Sequence, residues 1–345
     1  MSKPIVASKS PLTGATAFVA SENGCSYLYL QQADQKAFHA CWIKNHVQVK
    51  ISYSSTSDMK KGRQPKIPTQ FCRYKNDLDY LKEDQLEIVW GKDGSIVSLF
   101  EKGELICIIP NHAGRDFAGY SKYSDSSEMP GMVPFPIGDP ESNVLVKRMN
   151  EAKEFWEQDF NHVWNDYVES YLPELEGRYG KHLRYFAIDG GNFPRKALVT
   201  FEKDQIQYAF TIGVGLFPQP KVDMHFEDYQ DHELFELGFC YQSKGVFDQV
   251  GAQISSIAAI PWGCDTFLDS HHTVDLKINP QYNHAVLVND KGVKILQSEF
   301  LSERKINLLW LVPVDKETFG KLTASPPDNS DINTREANCD IMYKG

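Results

Sequence analysis

The sequence predicts an α+β protein: an N-terminal antiparallel β-rich domain, then an α/β domain with a mixed sheet flanked by helices. Three observations carry this. Residues 1–115 alternate short β-branched and aromatic runs with turn dipeptides. A stretch at 116–149 is rich in Pro, Gly and Ser, and it reads as a linker. Beyond it, apolar residues fall at helical spacing near 150–172 and again near 246–259, around several strand-like runs. A chain of 345 residues exceeds what one core usually serves, so two domains are expected, 1–115 and 150–324, with a polar tail at 325–345.

In the first domain, strands are expected at 16–20, 26–31, 40–43 and 47–53. Asn23-Gly24 joins the first two, because a two-residue hairpin turn needs positive φ at both positions. A basic loop with Lys60, Lys61, Arg63 and Lys66 spans 59–68. Its narrow extent and the lack of interleaved stacking aromatics speak against a nucleic-acid surface. A three-strand meander follows at 86–90, 96–100 and 104–109, with turns at Asp93-Gly94 and Lys102-Gly103. Four prolines between 130 and 140 oppose both helix and central strand.

The second domain opens with a helix over 150–172. Trp156, Phe160, Trp164, Tyr167 and Tyr171 line one face, Glu151, Glu154, Asp159, Asp166 and Glu169 the other, and Pro173 and Gly177 are expected to end it. Strands are expected at 197–202, 206–214, 233–241, 273–278, 285–289, 293–296 and 306–314. Helices are expected at 246–259, stopped by Pro261, and at 316–322.

Charge divides unevenly. Residues 1–150 carry 18 Lys+Arg against 16 Asp+Glu, whereas residues 151–345 carry 18 against 30, a net charge of −12. An acidic surface repels nucleic acid and anionic lipid and attracts a basic protein. The seven cysteines are odd in number, scattered and without a CxxC pair, which points to reduced thiols in the cytoplasm. Residues 1–20 hold no continuous apolar run, and no stretch approaches a bilayer span, so neither export nor a membrane partner is expected.

Three blocks in order carry a family resemblance. The first is Glu233-Leu234-Phe235-Glu236-Leu237-Gly238-Phe239. The second is the 249–259 helix running into Pro261-Trp262-Gly263 and on to Thr273-Val274-Asp275-Leu276. The third is 306–317, where an apolar strand ends in Pro313-Val314-Asp315 and opens a helix. Over about residues 150–322 the chain resembles the suppressor-of-fused family. Asp315 stands where that family has Thr, and either residue caps a helix. The resemblance implies an α/β sandwich-like domain that binds other proteins. For the bacterial members it implies an immunity protein of a toxin system.

The most functional-looking segment is Asp223, His225, Phe226, Glu227, Asp228, Tyr229, Asp231, His232 and Glu233. We read it as an acidic docking surface with Phe226 and Tyr229 as aromatic anchors. The competing expectation is a metal-dependent hydrolase using His225, His232, His271 and His272 with nearby carboxylates. A further alternative is a scaffold whose two domains bind different partners. Cys264 has the acidic neighbours Asp265 and Asp269, which disfavour a thiolate. Asp189-Gly190-Gly191 and Gly213-Val214-Gly215 match no phosphate-binding pattern. The sequence holds no assembled catalytic or cofactor motif, so the expectation is a binding protein that is not an enzyme and needs no cofactor.

Overall fold

Turn chemistry organises the first part of the chain. A computed structural model describes residues 3–33, 38–50, 66–76, 79–114, 117–125, 133–241, 247–279, 281–289 and 305–324. Outside them lie the expected strand at 293–296, nearly all of the basic loop, and the tail. The expected strand at 47–53 does not form over 47–50, and the rest of it lies outside the described residues. The architecture is α+β, and the chain divides into two compact units, Met1–Gln158 and Asp159–Gly345.

The first unit begins with a four-stranded antiparallel sheet, β1 (Val6–Lys9), β2 (Thr16–Glu22), β3 (Cys25–Gln31) and β4 (Phe38–Asn45), in that order. Asn23 and Gly24 adopt φ of 52° and 80°, as the tight β2–β3 turn requires. A second sheet has the order β5 (Leu86–Trp90), β6 (Val97–Glu101), β7 (Glu104–Ile109), β8 (Tyr120–Ser121) and β9 (Phe135–Pro136). Its β6–β7 turn uses Lys102 and Gly103 at φ 53° and 81°. One face of this sheet packs through Trp90, Val97, Leu99, Ile106 and Ile109 against Leu28, Cys41 and Ile43 of the first sheet. The other face packs through Val89, Phe100, Leu105 and Ile108 against Leu145, Val146, Met149 and Ala152 of helix α1 (Val144–Trp156). Burial on both faces explains why 104–109 reads as a near-continuous apolar run rather than an alternation. The β6–β7 register jumps between Leu99↔Cys107 and Phe100↔Leu105, leaving Ile106 as a bulge. The bulge lets Ile106 and Cys107 both join the inter-sheet core.

Two expectations change here. The stretch 116–149 is not only a connection. It supplies β8, β9 and the start of α1, all packed on the first unit. Pro136 is tolerated because it lies on β9, a two-residue edge strand, where a missing N–H costs no ladder bond. Nor is the helix near 150–172 continuous. It breaks at 157–159, and Asp159 caps a separate helix α2 (Phe160–Tyr179) by accepting from the Asn161 N–H. Pro173 lies inside α2 instead of ending it, and Gly180 at φ 85° closes the helix. The carbonyl left bare by a helical proline belongs to Glu169, an exposed residue that water can satisfy.

The second unit holds a seven-stranded mixed sheet. Its strands are β10 (Arg184–Ala187), β11 (Ala197–Lys203), β12 (Ile206–Ile212), β13 (Leu234–Tyr241), β14 (Thr273–Asp275), β15 (Tyr282–Asn289) and β16 (Ile306–Asp315), in the order β10-β11-β12-β13-β16-β15-β14. Only β13 and β16 run parallel. Asp204 and Gln205, at φ 54° and 67°, make a β11–β12 turn with no Asn-Gly signal. Helix α2 lies on one face, with Tyr167 reaching Glu236. On that same face, Phe319 and Leu322 of the C-terminal helix α5 (Lys316–Ala324) cover Val286, Val288 and Val314. Helices α3 (Phe247–Ala258) and α4 (Ile260–Cys264) cover the other face, where Trp262 stacks on Phe235 at 6.4 Å. Pro261 sits in the first turn of α4, where its missing N–H costs nothing. Asp315 accepts from the Thr318 N–H at 2.7 Å and so caps α5.

No helix among the described residues is long and apolar enough to cross a membrane. Cys25, Cys41, Cys72, Cys107 and Cys240 are buried free thiols, and Cys264 is exposed.

Met149 is fully buried between α1 and the second sheet. Replacing it with Ala should cost about 2–5 kcal/mol. Urea titration should show a lower midpoint with an unchanged slope. The same change at Val144, which is 62% exposed, should leave the midpoint in place.

Candidate functional site

The segment singled out in the sequence lies in the second unit, between the end of β12 and the start of β13, as two short 3₁₀ turns, Val222–Met224 and Tyr229–Asp231. The structure brings it against the 265–272 loop. Gln219, buried, is the tie. Its amide donates to the carbonyls of His232 (3.1 Å) and Leu268 (2.9 Å), and its Oε1 accepts from the Leu268 N–H (2.7 Å). Asn307 at the start of β16 adds a second tie, donating to the Asp231 carbonyl at 2.6 Å.

Side chains then interlock. Phe226 stacks on His232 at 4.0 Å with an interplanar angle of 7°, and it meets Phe267 edge-on at 5.7 Å. Phe267 also contacts the rings of His225 (4.9 Å) and His272 (5.1 Å). His232 Nδ1 donates to Asp269 Oδ2 at 2.7 Å, while Asp269 Oδ1 accepts from the Ser270 N–H at 2.7 Å. Asp228 lies 3.7 Å from His232 Nε2. His272 Nδ1 accepts from the Asp269 N–H at 3.3 Å, so that nitrogen carries no proton in this arrangement.

Of the residues expected to meet a partner, His225, Glu227, Asp228 and Asp231 are exposed, and Asp223, Phe226, Tyr229 and His232 are half-buried. Glu233 is buried instead, because it leads directly into the central strand β13. Phe226 packs within the chain between His232 and Phe267. Three of the four histidines, His225, His232 and His272, gather around Phe226 and Phe267, whereas His271 donates its N–H to the Leu287 carbonyl. Among the described residues, no group of three or more His, Cys, Asp or Glu side chains is arranged to hold a metal ion.

Sequence reasoning missed the most buried carboxylate. Glu236 on β13 is fully buried. Its Oε1 accepts from Tyr167 Oη (2.5 Å) and from the N–H groups of Gly213 (2.8 Å) and Gly215 (3.0 Å). Its Oε2 accepts from Thr211 Oγ1 (2.6 Å), which itself accepts from the Leu237 N–H. Burial pushes the Glu236 carboxyl up from its ordinary range, and these donors pull it back in part. Gly213 is required here. At φ 92° it turns its N–H onto Glu236, and a Cβ would lie 2.3 Å from Trp164. The available signal was one acid inside an otherwise apolar strand, Leu-Phe-Glu-Leu, since a buried carboxylate must have partners. With four donors and no opening to solvent, Glu236 holds the fold together and offers nothing to a ligand.

Comparison of the chain with family models, curated proteins and solved structures gives no match.

Glu236→Ala should strand four buried donors and cost about 4 kcal/mol or more, whereas Glu236→Gln keeps the shape and most acceptors and should cost less. Denaturant titration of both variants checks this. The second test is pH. Burial lowers the affinity of His272 for a proton below its ordinary value of 6.5. The unfolded chain therefore binds more protons at this site as pH falls through 6.5, and stability falls with it until the folded-state value is passed. His272→Gln should flatten that part of the stability–pH curve.

Proposed function

We propose that the protein acts by binding a basic protein partner through the surface built by 223–233 and 265–272. The observation that carries this reading is the pairing of exposed carboxylates with a rigid base. Glu227, Asp228 and Asp231 face solvent, while the backbone beneath them is tied down by the buried amides of Gln219 and Asn307. A surface ordered before binding loses less conformational entropy when a partner arrives. The net charge of −12 over residues 151–345 supports an electropositive partner and fast, salt-sensitive association.

The resemblance to the suppressor-of-fused family supports the same class of activity. It suggests an immunity-type inhibitor, whose carboxylates would take the place of phosphates in the cleft of a basic nucleic-acid-cleaving toxin. Cytoplasmic residence agrees with the reduced thiols.

The full chain, immobilised and exposed to lysate of its own source cell at low salt, should retain a basic protein. Raising the salt to several times physiological should release it. The triple change Glu227→Lys, Asp228→Lys, Asp231→Lys should weaken retention by more than about tenfold. Equal retention by the wild type and the folded triple variant would sink the assignment of this surface.

A further inference from the structure

A separate polar chain in the first unit carries an inference beyond partner binding. Ser21 on β2 and Ser26 on β3 are cross-strand neighbours, and their Oγ atoms lie 2.7 Å apart. Ser26 Oγ lies 2.6 Å from His46 Nε2, and His46 Nδ1 lies 3.0 Å from the Asp79 carbonyl oxygen. A carbonyl oxygen only accepts, so Nδ1 carries a proton. In the neutral ring Nε2 is then a bare acceptor. Ser26 must donate to it, and Ser21 is left to donate to Ser26. The direction of every proton in the chain follows from one backbone carbonyl. When His46 is protonated at Nε2 the two hydroxyls reverse, as a working general base demands.

The arrangement is held in place. The Asn23-Gly24 turn folds back under the residues after β4, where the His46 N–H donates to the Gly24 carbonyl at 2.7 Å. Gly24 permits this approach, because a Cβ there would lie 2.7 Å from Val47. Ser26 and His46 are buried, which shields the base from water, whereas Ser21 is half-buried at the outer end. Tyr80 stacks on His46 at 4.2 Å and is 60% exposed, and Val47 is 42% exposed. These two exposed apolar groups cover the His46 end of the relay, away from Ser21.

We propose that Ser21 is a nucleophilic hydroxyl activated through Ser26 by His46, and that it accepts an acyl group from an activated ester. Ser21 Oγ bonds to the ester carbonyl carbon, and the bond from that carbon to the leaving oxygen breaks. The Ser21 proton passes to Ser26 as the Ser26 proton passes to His46 Nε2; Ser26 then gives a proton to the leaving oxygen as the imidazolium returns one to Ser26. Water releases the acyl group as a carboxylic acid by the same relay, restoring Ser21. Ser21 is the reacting residue, and Ser26 and His46 position and relay.

The test uses the full chain and p-nitrophenyl acetate. Nitrophenol release should show a burst, and peptide mass spectrometry should find the acetyl group on Ser21. Ser21→Ala should abolish both. Ser26→Ala should slow acylation by about 100-fold or more, while Ser26→Thr, which restores a hydroxyl, should recover most of the rate. That recovery separates a relay from a merely structural serine. Circular dichroism and thermal melting establish that each variant is folded. No acetyl group on Ser21 of the wild type, or undiminished acylation in folded Ser26→Ala, overturns the proposal.

Discussion

The second unit depends on one buried carboxylate. Glu236 sits on β13, the strand that pairs antiparallel with β12 on one side and parallel with β16 on the other. Taking a charge out of water is expensive unless several donors replace the solvent. Here Tyr167 from α2, Thr211 from β12 and the Gly213 and Gly215 N–H groups beyond β12 all converge on it. The partners come from two stretches, α2 and the 211–215 segment where β12 runs into its loop, so the carboxylate is satisfied only when strand, loop and helix are all in place. An apolar residue would pack without specifying this arrangement. Glu236 therefore contributes uniqueness at the same position where it costs solvation.

The first unit is held differently. Its second sheet is covered by the first sheet on one face and by α1 on the other. Single polar ties join its layers, such as Ser10 Oγ to the Gly94 carbonyl and Ser121 Oγ to the Ile43 carbonyl, both 2.8 Å, and register is fixed by turn chemistry and by irregularities in the β3–β4 and β6–β7 pairs. Positive φ at Asn23, Gly24, Lys102 and Gly103 sets the two hairpins, and the bulge at Ile106 corrects the facing of β7. A slip of one residue would turn an entire strand face over.

These differences decide what could be read from sequence. Asn23-Gly24 and Lys102-Gly103 were legible, because positive φ demands particular residues. The turn at Asp204-Gln205 was not, since neither residue announces it. The helix break at 157–159 was hidden because Phe155, Trp156, Phe160 and Val163 keep helical spacing across two helices that serve different cores. Pro173 misled because a proline can stay inside a helix when the carbonyl it frees, here that of Glu169, belongs to an exposed residue. Within the candidate site, the acidic composition of 223–233 was legible. The partnership with 265–272 was not, because it runs through Gln219, a residue with no motif of its own. Glu233 and Glu236 looked alike in sequence. Only the folded sheet shows that both are buried.

That burial also explains why the proposed recognition is assigned to the loops of the second unit. Three polar side chains inside it are well partnered: Glu236 by four donors, Gln219 by three backbone groups, and Asn307 by the Asp231 carbonyl and the Asn289 amide. Side chains partnered in this way cannot exchange partners without losing bonds worth about 1 kcal/mol each. They can, however, hold a surface loop in one conformation. The inward amides and the outward carboxylates of this loop are two halves of one arrangement, in which the buried half sets where the exposed charges stand.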